Sequence, residues 1–304
     1  MKVLLIGGLG FIGRHLISTL AGSVDLSILS RTPQADAMKF DASTGGSQPK
    51  LIVGDVTDIA RMIEIIIKEG PDVVVHLAAL TGLTKCQNNQ SNAFSTNVFG
   101  TYNVIMGCVA SNAKLIFVSS REVYGNAKSA SEDAPLLPNN IYGVTKLLAE
   151  RLVLWAAERH GLDYTILRLT NVYGPGGDQY NIQAMIKTAL SSGVITILGG
   201  EQQLNLVYVD DVAEIIKKCL SSPETSRQIF NVGSRDTLTV EQIVERLESR
   251  MKIPLIIERK SMRHGETLTC ELNLGKIERV LGKFPWTSFE DGLEKTLRWY
   301  QPAT

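Results

Sequence analysis

The sequence predicts a doubly wound α/β fold, in which a parallel sheet carries helices on both faces and a smaller α/β lobe is interleaved toward the C-terminus. Three observations lead to this fold class. Short apolar runs alternate with helical segments over residues 3–169, which is typical of strands joined by helical crossovers. Three glycines separate the first strand from the first helix. After residue 169 the alternation stops, and glycine and proline cluster.

The composition is that of an ordinary globular protein. The 304 residues are 44% hydrophobic and 20% charged, and 31 basic residues balance 31 acidic ones. This balance predicts neither a nucleic-acid-binding nor a membrane-binding surface. The N-terminal apolar run is too short for a signal peptide, and no apolar stretch reaches membrane-spanning length. We therefore expect a cytoplasmic protein.

The cysteines and histidines predict neither disulfides nor a metal site. Four cysteines lie far apart without CxxC spacing, as expected of reduced thiols in the cytosol: Cys86, Cys108, Cys219 and Cys270. Four histidines are equally scattered, which argues against a metal centre: His15, His76, His160 and His264.

The first strand and helix enclose a glycine triplet that predicts a dinucleotide-binding turn. Residues 3–6 form a short apolar run typical of a buried parallel strand, and residues 14–21 have helical periodicity. Between them, Gly7, Gly10 and Gly13 allow a tight turn, expose bare backbone to a pyrophosphate and bring helix and strand close together. The spacing is one residue wider at its start than the Gly-x-Gly-x-x-Gly fingerprint.

The end of the second strand favours NADP over NAD. This strand, residues 25–29, is followed by Ser30 and Arg31, where an acidic residue would bind the adenosine ribose of NAD. A guanidinium can bind the 2′-phosphate of NADP in a forked ion pair, with Arg14 close by. A merely solvated Arg31 is the alternative, and both interpretations stay open at this point.

The alternation continues along the chain. We expect a polar loop over residues 36–49, strands over 51–53, 73–77, 114–119 and 164–169, and helices over 59–69 and 97–111. Ligands of parallel α/β sheets bind at the carboxyl ends of the strands. Candidate site residues therefore follow strands directly, and they are Asp55, Val56, Ala78, Ala79, Ser119 and Ser120.

The helix that begins near Tyr142 carries the candidate catalytic pair. Tyr142 and Lys146 are four residues apart, so they project from one face of this helix. A cation beside a phenol stabilises the phenolate, so Tyr142 could exchange a proton with an alcohol during hydride transfer. The same spacing also occurs on ordinary helix surfaces, and the pair gains its meaning from the glycine turn upstream.

Beyond residue 169 we expect a smaller lobe. The pattern predicts a helix over 182–191, a strand over 195–198, a loop over 199–205 and a strand over 206–209, with Asp210 and Asp211 capping the next helix. Two further amphipathic helices are predicted over 240–251 and 289–300. We therefore predict a dinucleotide-binding domain (1–169 with 207–235) and a substrate-binding lobe (170–206 with 236–304), with a cleft between them.

A series of motifs resembles the extended short-chain dehydrogenase/reductase family, which includes nucleotide-sugar epimerases, dehydratases and reductases. The motifs are Gly7-x-x-Gly10-Phe-Ile-Gly13, Gly54-Asp55, His76-Leu-Ala-Ala79, Asn97-Val-Phe-Gly100, Ser119-Ser120, Tyr142-x-x-x-Lys146, Asn171-Val-Tyr-Gly-Pro175, Tyr208-Val-Asp-Asp-Val-Ala213 and Phe230-Asn-Val-Gly233. With the segment 286–300 they cover essentially the whole chain. The resemblance implies a Rossmann-type sheet, NAD or NADP as cofactor, and a homodimer built from the helices around 97–111 and 142–160.

The resemblance also implies roles for individual residues. Tyr142 is implied as the acid or base, Lys146 as the group that tunes it and holds the nicotinamide ribose, and Ser120 as the residue that orients the substrate hydroxyl. Together with Arg31, the predicted cofactor-binding residues are Gly7, Gly10, Phe11, Ile12, Gly13, Asp55, Val56, Leu77, Ala78, Ala79, Asn97, Ser119, Tyr142 and Lys146. The predicted substrate-binding residues are Thr81, Arg121, Asn171 and Arg263.

Glu122 and Arg121 bear on the kind of reaction. Glu122 follows Ser120 by two residues, so an extended chain points both side chains to one side. A carboxylate beside a 4-keto sugar can remove the proton at C5, which starts elimination or epimerisation. Sugar 4,6-dehydratases and related decarboxylases resemble this sequence in having Glu there. Arg121 departs from one dehydratase pattern, in which an Asp protonates the departing hydroxyl, and it either faces a substrate carboxylate or points to solvent.

A second departure concerns the diphosphate of the substrate. Relatives commonly have Arg-Asp where Leu204 and Asn205 stand, and that arginine clasps the nucleotide diphosphate. Arg263 matches another arginine of the family. One of two expected diphosphate-binding arginines is thus absent, which weakens the prediction of a nucleotide-sugar substrate.

We therefore predict an NAD(P)-dependent nucleotide-sugar epimerase or dehydratase that acts through a 4-keto intermediate, with Glu122 as the second base. One alternative is an NADP-dependent reductase of a 4-keto sugar or of another ketone, which Leu204 would permit. Another is a non-catalytic NADP-binding sensor of the same fold. The intact Tyr142 and Lys146 argue against the sensor.

Overall fold

The computed structural model describes residues 1–32, 48–177, 181–252 and 254–300. Its strands are β1 (Lys2–Ile6), β2 (Asp25–Ser30), β3 (Lys50–Val53), β4 (Val73–His76), β5 (Lys114–Ser120), β6 (Ala127–Ala130), β7 (Tyr164–Leu169), β8 (Asn171–Tyr173), β9 (Val194–Leu198), β10 (Gln203–Tyr208), β11 (Gln228–Val232), β12 (Thr237–Thr239), β13 (Ile256–Lys260) and β14 (Cys270–Leu272). Its α-helices are α1 (Phe11–Leu20), α2 (Ile59–Glu69), α3 (Leu83–Asn88), α4 (Gln90–Phe94), α5 (Gly100–Ser111), α6 (Ile141–His160), α7 (Asn181–Ser192), α8 (Val209–Ser221), α9 (Val240–Met251), α10 (Gly275–Leu281) and α11 (Phe289–Tyr300). A π-helical turn (Ser95–Phe99) precedes α5, and a 3₁₀ turn (Arg121–Val123) follows β5.

A parallel sheet of seven strands forms the centre of the described chain, in the order β11-β7-β5-β4-β1-β2-β3. Both β4 and β7 are buried along their whole length, as expected of inner strands in a parallel sheet covered on both faces. The strand order reverses between β1 and β4, and ligands of doubly wound sheets bind at such a switch point. The predicted doubly wound fold, with its Rossmann-type sheet, is confirmed.

Helices cover both faces of this sheet. On one face, α2, α5 and α6 pack through a core that includes Ile66, Val104 and Val153. On the other face, α1 and α8 pack through a core that includes Leu16 and Ile216. Because both faces are buried, a ligand has to bind at the ends of the strands.

The C-terminal third builds smaller sheets with a core of their own. β10 pairs with β8 and β12, and β13 pairs with β9. Apolar residues of α7, α9 and α11 complete this third core, among them Ile186, Leu247 and Leu293. The chain also returns from this region, since β11 forms the edge of the central sheet and β14 pairs with β6. The division into two units by residue range stays a prediction.

The predicted cap of α8 is wrong. The helix begins at Val209, which was assigned to the preceding strand, so Asp210 and Asp211 lie within its first turn instead of capping it. Negative charge is still favourable there because of the helix dipole. Asp210 lies 2.6 Å from Nδ1 of His15, and Asp211 accepts hydrogen bonds from the backbone and hydroxyl of Thr287.

Other predicted boundaries differ by a few residues. The predicted loop over 199–205 is wrong at its end, because residues 203–205 belong to β10. The predicted helix over 97–111 is divided, with a π-helical turn up to Phe99 and α5 beyond it. α1 begins at Phe11, three residues earlier than predicted. The predicted loop over 36–49 lies outside the described residues except for 48 and 49.

Candidate active site

A cleft of about 700 Å³ is lined by residues that follow β1, β2, β4, β5 and β7. This volume is typical of small-molecule sites. The cleft extends from the glycine turn after β1 to the segment 263–267 between β13 and β14. Among the predicted site residues, it brings together Gly7, Gly10, Phe11, Ile12, Gly13, Arg31, Val56, Leu77, Ala78, Ala79, Thr81, Ser119, Ser120, Arg121, Glu122, Tyr142, Lys146, Asn171 and Arg263.

Buried polar atoms without a partner concentrate in this cleft. Within the described ranges, six buried side-chain nitrogen or oxygen atoms have no hydrogen-bond partner, and five of them belong to residues that line the cleft. These five are Nε and Nη1 of Arg121, Oγ1 of Thr170, Nδ2 of Asn171 and Oε1 of Gln183. A buried polar atom left without a partner costs about 1–3 kcal/mol, and most such atoms are satisfied. Their concentration here indicates a site for a polar ligand.

The glycine turn after β1 packs so closely against other backbone segments that two of its glycines leave no room for a side chain. Gly7 has a φ of +83°, and a Cβ on it would lie 2.7 Å from the backbone nitrogen of Ala78. A Cβ on Gly13 would overlap the carbonyl group of Gly8. Gly10 lies at the N-terminal cap position of α1. Bare backbone at a helix N-terminus fits a pyrophosphate, so the residues present suit a dinucleotide.

The first turns of α6 place Tyr142 and Lys146 in the cleft. Oδ1 of Asn140 accepts a hydrogen bond from the backbone N–H of Gly143 and caps the helix. The buried ammonium of Lys146 donates to the carbonyl of Val118 near the end of β5, at 2.6 Å. Burial lowers the pKa of Lys146 to about 7, whereas the Glu150 carboxylate one turn further along acts in the opposite direction.

A buried ion pair connects α6 to the central sheet. Arg168 of β7 donates to both carboxylate oxygens of Glu150, with the shortest distance at 2.7 Å. Arg168 also donates to the hydroxyl of Tyr124 at 2.8 Å. The hydroxyl of Ser119 donates to Glu150 as well. Ser119 therefore lines the cleft as predicted, but its hydroxyl is engaged by the ion pair.

Donors surround the carboxylate of Glu122, which lies in the 3₁₀ turn after β5. Oε2 accepts hydrogen bonds from Nδ2 of Asn140 and Oγ1 of Thr267, each at 2.8 Å. Oε1 lies 3.1 Å from Nη2 of Arg121. Because a carboxylate oxygen offers about two lone-pair sites, Oε2 is fully engaged. Oε1 keeps a free lone pair and is the oxygen that could accept a proton.

Three further residues line the cleft on the side of the predicted substrate, namely Arg121, Arg263 and Leu204. Arg121 is only 5% exposed, so the alternative in which it points to solvent is wrong. Nε and Nη2 of Arg263 donate to the two carboxylate oxygens of Glu266, at 3.0 and 2.9 Å. Leu204 is buried and lines the same cleft, which makes the wall apolar where an arginine was expected.

Two predicted cofactor-binding residues do not line the cleft. Asp55 accepts hydrogen bonds from the backbone and the hydroxyl of Thr57, both at 2.9 Å. Asn97 is buried, accepts from the N–H of Leu80 and donates to its carbonyl. Asn97 thus fixes the backbone of Leu80, directly after Ala78 and Ala79. It therefore supports the wall of the cleft without lining it.

The comparison with protein families decides the identity of this fold. A family model described as the NAD dependent epimerase/dehydratase family matches residues 3–233. The chain belongs to the NAD-dependent epimerase/dehydratase family. It is 28% identical over 318 residues to a UDP-N-acetyl-alpha-D-glucosaminuronate decarboxylase of Bacillus cytotoxicus, covering 99% of this chain and 98% of the relative. A UDP-glucose 4-epimerase of Lactobacillus helveticus is 27% identical over 326 residues, with 99% and 97% covered.

Solved structures agree with this assignment to the epimerase/dehydratase family. MoeE5 in complex with UDP-glucuronic acid and NAD is 28% identical, has a TM-score of 0.90, and matches 99% of both chains. The protein is therefore an NAD-dependent enzyme of this family, and its resemblance to the extended short-chain dehydrogenases/reductases is confirmed. These comparisons support NAD, and the NADP preference predicted from Arg31 stays untested.

The site of this epimerase/dehydratase family member includes residues that the sequence patterns did not single out. Asn140 and Thr267 hold Glu122, and Arg168 holds Glu150 on α6, the helix that also carries Tyr142 and Lys146. Asn140 had a usable signal, since asparagine is favoured before the first turn of a helix. Glu150 follows Lys146 by four residues and so shares its helix face. Thr267 lies 145 positions after Glu122 and had no local signal.

The remaining general predictions concern metals, thiols and membranes. Among the residues described, no group of three or more His, Cys, Asp or Glu side chains could hold a metal ion. All four cysteines are buried and unpaired. No helix in the described ranges combines the length and apolar character needed to cross a bilayer. The cytoplasmic location stays a prediction.

Proposed function

We propose that the protein is an NAD(P)-dependent nucleotide-sugar epimerase or dehydratase that acts through a 4-keto intermediate. One observation carries this proposal. A single cleft is lined by the glycine turn, by Ser120, Tyr142 and Lys146, and by Glu122, and buried polar atoms without partners concentrate there. The residues proposed for proton transfer, the proposed second base and the proposed cofactor-binding turn thus line the same cleft. This cleft lies where the strand order of the sheet reverses.

Three residues would act on the C4 hydroxyl group of the sugar. A bound nicotinamide would supply the hydride chemistry at C4. Tyr142 takes the hydroxyl proton as hydride leaves, and Lys146, four residues along the same helix face, supplies the positive charge that favours phenolate. Ser120, whose hydroxyl accepts a hydrogen bond from the backbone N–H of Glu122, orients the substrate hydroxyl.

Glu122 would act on the neighbouring carbon. Once C4 is a ketone, the C5–H bond is acidified, and the proton passes to Oε1 of Glu122 while the bonding electrons form an enolate with the ketone. Oε2 is held by Asn140 and Thr267, so the carboxylate cannot rotate freely. Returning the proton to the other face of C5 gives an epimer, and loss of a leaving group at C6 gives a dehydrated sugar.

The substrate would lie toward the smaller lobe, which we propose to be formed by 170–206 and 236–304. Asn171, Thr81 and Arg263 line the cleft and are the proposed substrate contacts. The named relatives act on UDP-sugars, and the ligand of MoeE5 is a UDP-sugar. Arg263 is the cation that remains for the diphosphate, since Leu204 cannot bind it.

A second candidate function is the reduction of a different ketone with the same catalytic residues. The buried, apolar Leu204 in the cleft wall favours it, because a substrate without a diphosphate needs no cation there. The cofactor cradle, Tyr142 and Lys146 would serve both reactions equally.

The two functions are separated by supplying the purified protein with NAD or NADP and a panel of UDP- and dTDP-hexoses. We expect at least one nucleotide sugar to be converted, with NMR and mass spectrometry identifying an epimer, a dehydrated product or a decarboxylated product. Conversion of simple ketones together with failure to bind any nucleoside diphosphate would establish the second function instead. The NADP arm of the assay tests the preference predicted from Arg31, which lines the cleft.

The homodimer is also a proposal, and the exposed apolar surface gives it a location. Phe99 is 62% exposed, and Leu148 and Trp155, seven residues apart on one face of α6, are each 40% exposed. Val104 and Val153 are instead fully buried in the core. We therefore place the interface on Phe99, Leu148 and Trp155, next to the contact between α5 and α6.

Light scattering is expected to give twice the 33.3 kDa mass of one chain. Leu148→Glu together with Trp155→Glu should give the mass of one chain, because two carboxylates cannot be buried unpaired. Leu190→Glu is the matched control, since Leu190 lies on α7 and is 38% exposed. A wild-type mass of one chain would reject the dimer.

A further inference from the structure

The guanidinium of Arg121 is buried and mostly without partners. Arg121 begins the 3₁₀ turn after β5, is 5% exposed, and lines the cleft. Nη2 lies 3.1 Å from Oε1 of Glu122, whereas Nε and Nη1 have no hydrogen-bond partner. Arginine cannot lose its charge in a protein, so this cation remains charged in the folded chain.

Nothing in its surroundings satisfies these N–H groups. Glu122 is the carboxylate beside the guanidinium, and it is shared with Asn140 and Thr267. The thiol of Cys270 also lies close to Arg121, and it donates to the backbone carbonyl of Arg121, at 3.7 Å. A buried charge normally needs both a counter-charge and hydrogen bonds, and here both are incomplete. The missing acceptors therefore have to come from a bound ligand.

The position of Arg121 in the chain indicates which part of a ligand it meets. Ser120 and Glu122 flank it directly, and all three line the cleft. In the proposed function, Ser120 acts at C4 of the sugar and Glu122 at C5. The carbon bonded to C5 on the far side from C4 is C6. Nη2 of Arg121 lies 3.1 Å from Oε1 of Glu122, the oxygen assigned to the C5 proton, so the guanidinium lies beside C5 and its C6 substituent.

We propose that Arg121 binds the carboxylate of a hexuronic acid, so that the substrate class is nucleoside-diphosphate uronic acids. This inference rests on the proposed function and deepens it. Arg121 already lines the cleft, where a carboxylate would offer its unpartnered N–H groups two acceptor oxygens and one negative charge. The hydroxymethyl group of a neutral hexose supplies no charge and only one oxygen, so it leaves the buried cation uncompensated.

Binding measurements on the NAD-loaded protein test this inference. UDP and dTDP are compared first, and the tighter nucleotide is then used in two forms, linked to glucuronic acid and to glucose. We expect the wild-type protein to bind the uronic acid form more tightly. Arg121→Gln should weaken binding of that form by about 10–150-fold, the range for hydrogen bonds to charged groups, with little change for the glucose form.

Two further variants separate recognition from folding and from diphosphate binding. Arg121→Lys keeps the charge but loses the planar fork, so it should recover part of the preference, and its thermal unfolding reports whether the fold persists. Arg263→Gln should weaken both forms alike, because it is assigned to the diphosphate. Equal affinity of the wild-type protein for both forms, or equal losses in Arg121→Gln, would overturn the inference and leave the proposed function standing. Failure of both nucleotides and both sugars to bind would overturn the proposed function and the inference with it.

Discussion

Replacing Tyr142 with phenylalanine is expected to lower kcat by about 10²–10⁴-fold, with little effect on NAD binding. The change removes only the hydroxyl that we propose exchanges a proton with the C4 oxygen. The aromatic ring stays in place, and so does the hydrogen bond from Lys146 to Val118. Steady-state turnover of the nucleotide sugar and fluorescence titration with NAD measure the two quantities separately.

Tyr102→Phe is the matched control for this experiment. Tyr102 lies on α5 and does not line the cleft, so its substitution should leave kcat near the wild-type value. A Tyr142→Phe enzyme as active as wild type would show that another group transfers the proton. Loss of NAD binding in parallel with kcat would instead point to a general disturbance of the cleft.

Arg168→Met should lower the free energy of unfolding by about 3–5 kcal/mol, because it leaves the Glu150 carboxylate charged and buried without its partner. The side chains of Arg168 and Glu150 are 3% and 1% exposed, so solvent cannot replace the lost contacts. Equilibrium unfolding in urea measures the change.

Arg61→Met provides the comparison for an exposed ion pair. Arg61 donates to Glu64 at 2.9 Å on the surface of α2, where such pairs contribute about 0–1 kcal/mol. A loss for Arg168→Met no larger than for Arg61→Met would mean that the buried pair is replaceable. A second substitution, Glu150→Gln in the Arg168→Met background, should recover part of the stability by removing the unpaired charge.

The features that could be predicted from the sequence are those specified by neighbouring residues. The glycine spacing requires close approach of backbone within one βα turn, and the structure gives Gly7 and Gly13 no room for a Cβ. Tyr142 and Lys146 share a helix face because of helical geometry alone. The first strand was visible because both of its faces are covered, which makes residues 3–6 continuously apolar.

The features that the sequence could not provide depend on contacts between distant segments. Burial of Arg121 involves Cys270, 149 positions away, and the third donor to Glu122 comes from Thr267. No local pattern distinguishes such an arginine from one on the surface. The predicted cap of α8 was wrong for a smaller reason, since a helix that starts at least two residues earlier than predicted takes Asp210 and Asp211 from the cap into its first turn.

The return of β11 to the central sheet limits how this enzyme could be rebuilt. The strand lies between β10 and β12 in the chain, yet all of its residues pair with β7. Exchanging everything beyond Leu169 for the corresponding half of another enzyme would therefore strip a structural strand and expose an unpaired edge, a known route to aggregation. New substrate preferences are consequently more accessible through point substitutions in the cleft than through modular recombination.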